Sequence, residues 1–133
     1  MRMDKDLGEL AYLDNVAGVD WHLLKLRLIE DAFDNGRTPE QLRLSFEHSY
    51  AVCFARTGSE IVGTGRVLSD GVCNAYVVDV WTYTPFRRRG IGREMMRRLL
   101  ARLEGQHVYL FSDAQGDFYR AIGFREHAVG YER

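Results

Sequence analysis

Apolar positions at helical spacing begin at Trp21 and continue through Leu24, Leu28 and Ala32, with Leu23, Leu26, Ile29 and Phe33 widening the stripe. Asp20 stands where a carboxylate can accept from the first helical amides, and Asn35-Gly36 ends the run. Thr38, Pro39 and Gln41 have the form of a capping box with Pro at the first position, so a second helix is expected, with Leu42, Leu44 and Phe46 as its apolar surface. Ahead of both, residues 9–16 carry a weaker strand pattern around Leu10, Tyr12 and Val16. The period then changes. Residues 50–56 and 60–69 read as strands joined by Thr57-Gly58-Ser59, and Asp70-Gly71 leads into a long strand over residues 74–83. Met95, Met96, Leu99, Leu100 and Leu103 form the stripe of a third helix that Gly105 ends, with Arg93, Arg97, Arg98 and Arg102 on its outer side. A strand over 107–111, a short helix over 117–122 and a final strand over 125–131 complete the expectation. A meander followed by a βαβ crossover predicts an α/β fold: a mixed, mostly antiparallel sheet with helices on both faces.

Composition narrows the class. The chain has 133 residues, 46% hydrophobic and 28% charged, which suits one globular domain over 1–133 with a real core. A net charge of −1 argues against a general nucleic-acid or membrane binder. The balance is uneven, since residues 87–105 hold seven Arg against two Glu. A local excess of this kind suits an anionic ligand. Cys53 and Cys73 are too few for a disulfide framework, and His22, His48, His107 and His127 lack metal-ligand spacing, so no metal is expected. Cys53 reads as a buried strand residue and Cys73 as a turn residue. The opening residues have no apolar run and no stretch approaches the roughly 20 apolar residues of a membrane span, so a cytoplasmic location is the default expectation.

The chemistry concentrates in residues 77–101. A β-branched and aromatic run ends at Pro85, which cannot continue a central strand. Arg87, Arg88 and Arg89 follow, then Gly90 and Gly92 at the start of the third helix. Glycines allow a close backbone approach, and a helix start turns free N–H groups and a positive dipole end toward an anion. Arg87-x-x-Gly90-x-Gly92 behind a strand resembles the acetyl-CoA signature of the GNAT acetyltransferases (GCN5-related N-acetyltransferases). Phe118-Tyr119-x-x-x-Gly123-Phe124 resembles a second GNAT motif, and the element order matches that fold along nearly the whole chain. The run Leu68-Ser69-Asp70-Gly71-Val72-Cys73-Asn74-Ala75-Tyr76 is similar to arylalkylamine-type members.

The resemblance implies acetyl-CoA as co-substrate. Amides and side chains of Arg87, Arg88, Arg89, Gly90, Ile91, Gly92 and Arg93 would hold its pyrophosphate, and the backbone of Val80, Trp81, Thr82 and Tyr83 would pair with its pantetheine arm. Phe118 and Tyr119 would lie beside the thioester, with the Tyr119 phenol as general acid for the departing thiolate; taken alone the residue reads as a packed helix aromatic, and the loop motif upstream tips it to the catalytic role. An amide of Val80 or Trp81 would polarise the thioester carbonyl. Many members carry an Asn that bonds pantetheine where this chain has Ser112. Asp79 is the one acid in an apolar strand, a setting for a general base, or equally for a salt bridge with Arg66 on the neighbouring strand.

The expected activity is transfer of an acetyl group to a primary amine, small molecule or peptide, by direct attack in a ternary complex. Trp21, Phe33 and Phe46 beside Glu30, Asp31 and Asp34 would suit an amine with an apolar body, although helix aromatics mostly fill cores and acids mostly face water. A non-catalytic acyl-CoA sensor on the same fold is the alternative, against which Tyr119 speaks. Neither nucleic acid nor membrane is an expected partner. Many GNAT proteins dimerise, which leaves a homodimer open.

Overall fold

The computed structural model describes residues 9–133, and its first helix starts where the capping pattern puts it. The Asp20 carboxylate accepts the Leu23 amide at 3.0 Å and opens α1 (Trp21–Glu30). Thr38 and Gln41 close a reciprocal capping box, at 2.9 and 3.0 Å, ahead of α2 (Pro39–Glu47). Leu24, Leu28, Leu42 and Phe46 are buried between these helices and the sheet. The Phe46 and Phe54 rings stand 5.2 Å apart and Trp21 lies 5.7 Å from Phe46, so Trp21 and Phe46 fill the core rather than wall an acceptor pocket.

The sheet runs β1 (Leu10–Leu13), β2 (Ala51–Thr57), β3 (Glu60–Ser69), β4 (Asn74–Thr82), β5 (His107–Tyr109), in that spatial order. The first three junctions are antiparallel and the last is parallel. Between β4 and β5 the chain makes a 3-10 turn (Thr84–Phe86) and then α3 (Ile91–Leu100) on the face opposite α1 and α2. Ile91, Met95, Met96 and Leu99 are the buried side of α3. Gly63 and Gly65 let this helix approach β3 closely. A Cβ at Gly63 would stand 2.9 Å from Met95 Cε, and one at Gly65 would stand 2.8 Å from Leu99 Cδ1. After β5 comes the short α4 (Gly116–Ala121).

Expectations fail at several edges; α3, for one, stops at Leu100 and does not run to Gly105, although Leu103 beyond it stays buried. Residues 125–131 form no strand. Their two large apolar side chains, Val129 and Tyr131, are 77% and 93% exposed, so no buried face rewards a ladder there. Ring proximity holds the stretch near β5: His127 lies 5.9 Å from His107, and the Phe111 ring sits where a Cβ on Gly130 would be. β5 stops at Tyr109 instead of reaching residue 111. α1 stops at Glu30 because Ala32, at φ 55, turns the chain out of the helix before Asn35-Gly36.

Candidate active site

β4 pairs with β5 at only three positions, Asn74 with His107, Ala75 with Val108 and Tyr76 with Tyr109. Past Tyr76 the strand continues to Thr82 with no ladder on that side among the described residues. An open backbone edge of this kind is a template for an extended ligand.

The edge carries an irregularity. Arg66 pairs with Val78 and Thr64 with Trp81, so β4 spends one more residue than β3 between those points. This is a β-bulge, with Asp79 at φ 59 in the left-handed region that Asp tolerates better than most residues. Thr64 Oγ1 donates to the Asp79 carbonyl at 2.8 Å. The Asp79 carboxylate accepts from Arg66 Nε at 2.7 Å and from Arg37 Nη1 at 2.8 Å, and its side chain is 7% exposed. The salt bridge with Arg66 is therefore present, and Arg37, 42 residues away in the chain, doubles it.

Past the bulge, the Trp81 and Tyr83 side chains are buried and tied to α1. Trp81 Nε1 donates to Asp31 at 2.9 Å and the Tyr83 hydroxyl donates to Glu30 at 2.5 Å. Thr82 faces α3 instead, since a Cβ on Gly92 would lie 3.6 Å from its hydroxyl and 3.5 Å from the Phe118 ring. Val80 shares that side, within 3.9 Å of the position a Gly65 Cβ would take. Arg88 at φ 66 and Gly90 at φ 81 bend the loop into α3. Gly90 supplies no side-chain cap, and the Glu94 amide on the Gly90 carbonyl is the first bond of the helix ladder. The amides ahead of it point out of the helix start as an anion cradle.

The arginines divide. Arg87 donates through Nε to the Thr82 carbonyl at 2.8 Å and stands 3.6 Å from Asp31, so it braces the loop. Arg93 lines a groove of about 670 Å³ between α3 and α4, with Gly90, Met96, Leu100, Ile122 and Gly123. The α4 side of this groove lies outside the sequence-derived site set, although Gly123 belongs to the second motif and its φ of 104 marked a forced turn.

Tyr119 is half-buried in α4, its ring 5.0 Å from Phe118 and 5.9 Å from Phe124. Burial pushes its phenol above the ordinary value, so it stays protonated at neutral pH. Its hydroxyl has no hydrogen-bond partner among the described residues. Ser112 accepts the Gln115 amide at 2.9 Å and so shapes the approach to α4, leaving its O–H to donate. Burial raises the Cys53 thiol to about 11, which removes it as a nucleophile. No cluster of potential metal ligands occurs among the described residues. No helix among them is long and apolar enough to cross a membrane.

The Acetyltransferase (GNAT) domain model matches residues 48–126, from the end of α2 through α4, and the chain belongs to the GNAT acetyltransferase family. A rice (Oryza sativa subsp. japonica) protein named serotonin N-acetyltransferase 2, chloroplastic, is 35% identical over 96 residues, 66% of this chain and 48% of its own. The chain thus spans about half the length of this curated relative. The fold recurs in a candidate acetyltransferase from Deinococcus radiodurans, with TM-score 0.85 and 24% identity, covering 99% of this chain and 93% of that one. It recurs also in glucosamine-6-phosphate N-acetyltransferase from Arabidopsis thaliana, with TM-score 0.76 and 17% identity, covering 93% and 97%.

Proposed function

We propose that residues 1–133 act as one acetyltransferase domain that uses acetyl-CoA to acetylate a primary amine by direct transfer in a ternary complex. The observation that carries this reading is the open edge of β4, which runs from the Asp79 bulge to the glycine-capped start of α3, where the Phe118 ring of α4 stands against Gly92. Pantetheine would pair with the backbone of Val80, Trp81 and Thr82; Tyr83, expected to join them, does not, because its amide donates to the Val62 carbonyl and its carbonyl accepts the Phe86 amide, both at 2.8 Å. The pyrophosphate would sit on the amides of residues 90–93, with Arg88, Arg89 and Arg93 supplying charge from the loop and Arg87 holding it in shape. Phe118, whose ring stands against Gly92, and Ser112 would border the pantetheine arm.

The amine nitrogen attacks the thioester carbonyl, the C–S bond breaks, and the thiolate takes the Tyr119 proton as the amide forms. A Val80 or Trp81 amide would hold the developing oxyanion. The ammonium proton must leave before attack. A carboxylate already shared by two guanidinium groups is poorly placed to take it, so Asp79 contributes by fixing the bulge, and water removes the proton. The rice relative's name accords with the arylalkylamine resemblance of residues 68–76, which puts arylalkylamines first among acceptors to try.

The test is acetyl-CoA turnover over a broad amine panel, with Tyr119→Phe alongside. The variant should turn over about 10²-fold more slowly and bind coenzyme A normally. Because burial raises the phenol, the alkaline limb of the wild-type profile should lie above that of an ordinary tyrosine. An unchanged rate at all pH values would remove the general-acid role. Coenzyme A binding with no turnover on any amine would favour the sensor.

A further inference from the structure

Asp31, at the C-cap of α1, has a carboxylate that is 8% exposed and fully engaged. Its Oδ2 accepts Trp81 Nε1 at 2.9 Å and the Thr84 amide at 3.1 Å, and its Oδ1 accepts the Thr84 hydroxyl at 2.7 Å. Arg87 stands 3.6 Å away while donating to the Thr82 carbonyl. One buried carboxylate therefore joins the end of α1 to the stretch where β4 leaves the sheet and the basic loop begins. Six residues further on, Arg37 reaches Asp79 at the bulge. The connection between α1 and α2 thus grips β4 on both sides of its open edge. Its backbone is itself constrained, with Ala32 at φ 55 and Asn35 at φ 54, and alanine adopts that region only under strain.

We propose that Asp31 is a positioning residue for the cofactor. It sets the exit of β4 so that the open-edge amides and the Arg87 loop stand in register with the start of α3 before coenzyme A arrives. This inference rests on the acetyl-CoA reading above.

The donor set explains why an acid serves here. The Trp81 indole and the Thr84 amide can only donate, and both converge on one oxygen. Asparagine can keep that oxygen and present its NH₂ to the Thr84 hydroxyl, which can accept. It loses only the attraction to Arg87. Alanine loses every bond and leaves the buried indole N–H unpartnered.

Coenzyme A calorimetry, steady-state kinetics and the Trp81 indole ¹H–¹⁵N signal (assigned with Trp81→Phe) test this on the full chain. Asp31→Ala should raise both the KM for acetyl-CoA and the Kd for coenzyme A about tenfold, with kcat within about twofold. The Trp81 indole signal should move off its carboxylate-bonded position. Asp31→Asn should rescue binding to within about threefold of wild type, and Thr84→Val should fall between. Those two milder variants carry the test if Asp31→Ala folds poorly. Wild-type coenzyme A binding together with equal binding by all three variants overturns the positioning role, as does a fall in kcat at unchanged KM. If the wild-type chain itself binds no coenzyme A, the acetyl-CoA reading fails first and takes this inference with it.

Discussion

Replacing Asp79 by Asn separates an architectural acid from a catalytic base. The substitution keeps a residue that tolerates φ 59 and keeps one oxygen acceptor, so what changes is the charge. That charge stands between Arg66 and Arg37, whose side chains are 13% and 19% exposed, against 7% for Asp79 itself. A hydrogen bond to a charged group contributes about 1.5–3 kcal/mol, and stranding one member of a fully buried pair costs about 3–5. Water still reaches the outer edges of both guanidinium groups, so the lower range applies, and we expect a loss of about 2–3 kcal/mol. With a urea slope of about 2 kcal/mol/M, the unfolding midpoint should fall by about 1–1.5 M. A far-UV circular dichroism titration at pH 7 reads this directly. A double-mutant cycle with Arg66→Met should return a coupling of at least about 1 kcal/mol. If Asp79 is architectural, turnover falls through distortion of the bulge while the acidic limb of the pH–rate profile stays in place. An unchanged urea midpoint would refute the argument. Loss of the acidic limb at undiminished stability would restore Asp79 as the general base.

Two further perturbations address the anion cradle. In the protein without ligand, a Cβ at Gly92 meets only ordinary contacts, at 3.5 and 3.6 Å, so Gly92→Ala should leave the melting temperature nearly unchanged. The same methyl group would intrude on a pyrophosphate, so the KM for acetyl-CoA should rise at least about tenfold in steady-state assays; an unaltered KM would move the phosphates elsewhere. Hydrogen bonds from Arg97 and Arg98 hold the Glu94 carboxyl at about 2, below its ordinary 4.5. A folded-state value below the unfolded one contributes stability above about pH 4.5 that is lost as pH falls toward 2. Glu94→Gln should therefore lower stability at neutral pH, and the gap from wild type should close through that window in acid titrations followed by circular dichroism.

Features that depend on short sequence separation were legible in the chain. Asp20 and the Thr38–Gln41 box are such cases, because a cap needs only neighbours three residues away. The strand-loop-helix around Gly90 is another, since its glycines and Pro85 act on their own backbone. Asp79 marks the limit. An acid in an apolar strand drew notice, and Arg66 was a nameable partner from the hairpin register. Arg37 was not, since only the tertiary fold brings it there. The bulge also left no trace, because one inserted residue does not alter composition and Asp rather than Gly occupies the left-handed position. At residues 125–131 the failure ran the other way: local residue types allowed a strand, but no buried face supports one.

The single extra residue in β4 also acts as a parity switch. Before it, Val77 lies opposite Val67 on the side facing α3; after it, Thr82 takes that side while Trp81 and Tyr83 turn toward α1. Removing one residue at the bulge would invert this assignment downstream and send two large aromatic side chains into the space now bordered by Gly92 and Phe118. It would also expose the Thr82 hydroxyl to α1. The segment therefore tolerates a change of residue identity far better than a change of length. Variants that preserve the count between Val78 and Pro85 can explore new side chains at low risk, whereas one codon lost or gained there would rewire both faces of the sheet at once.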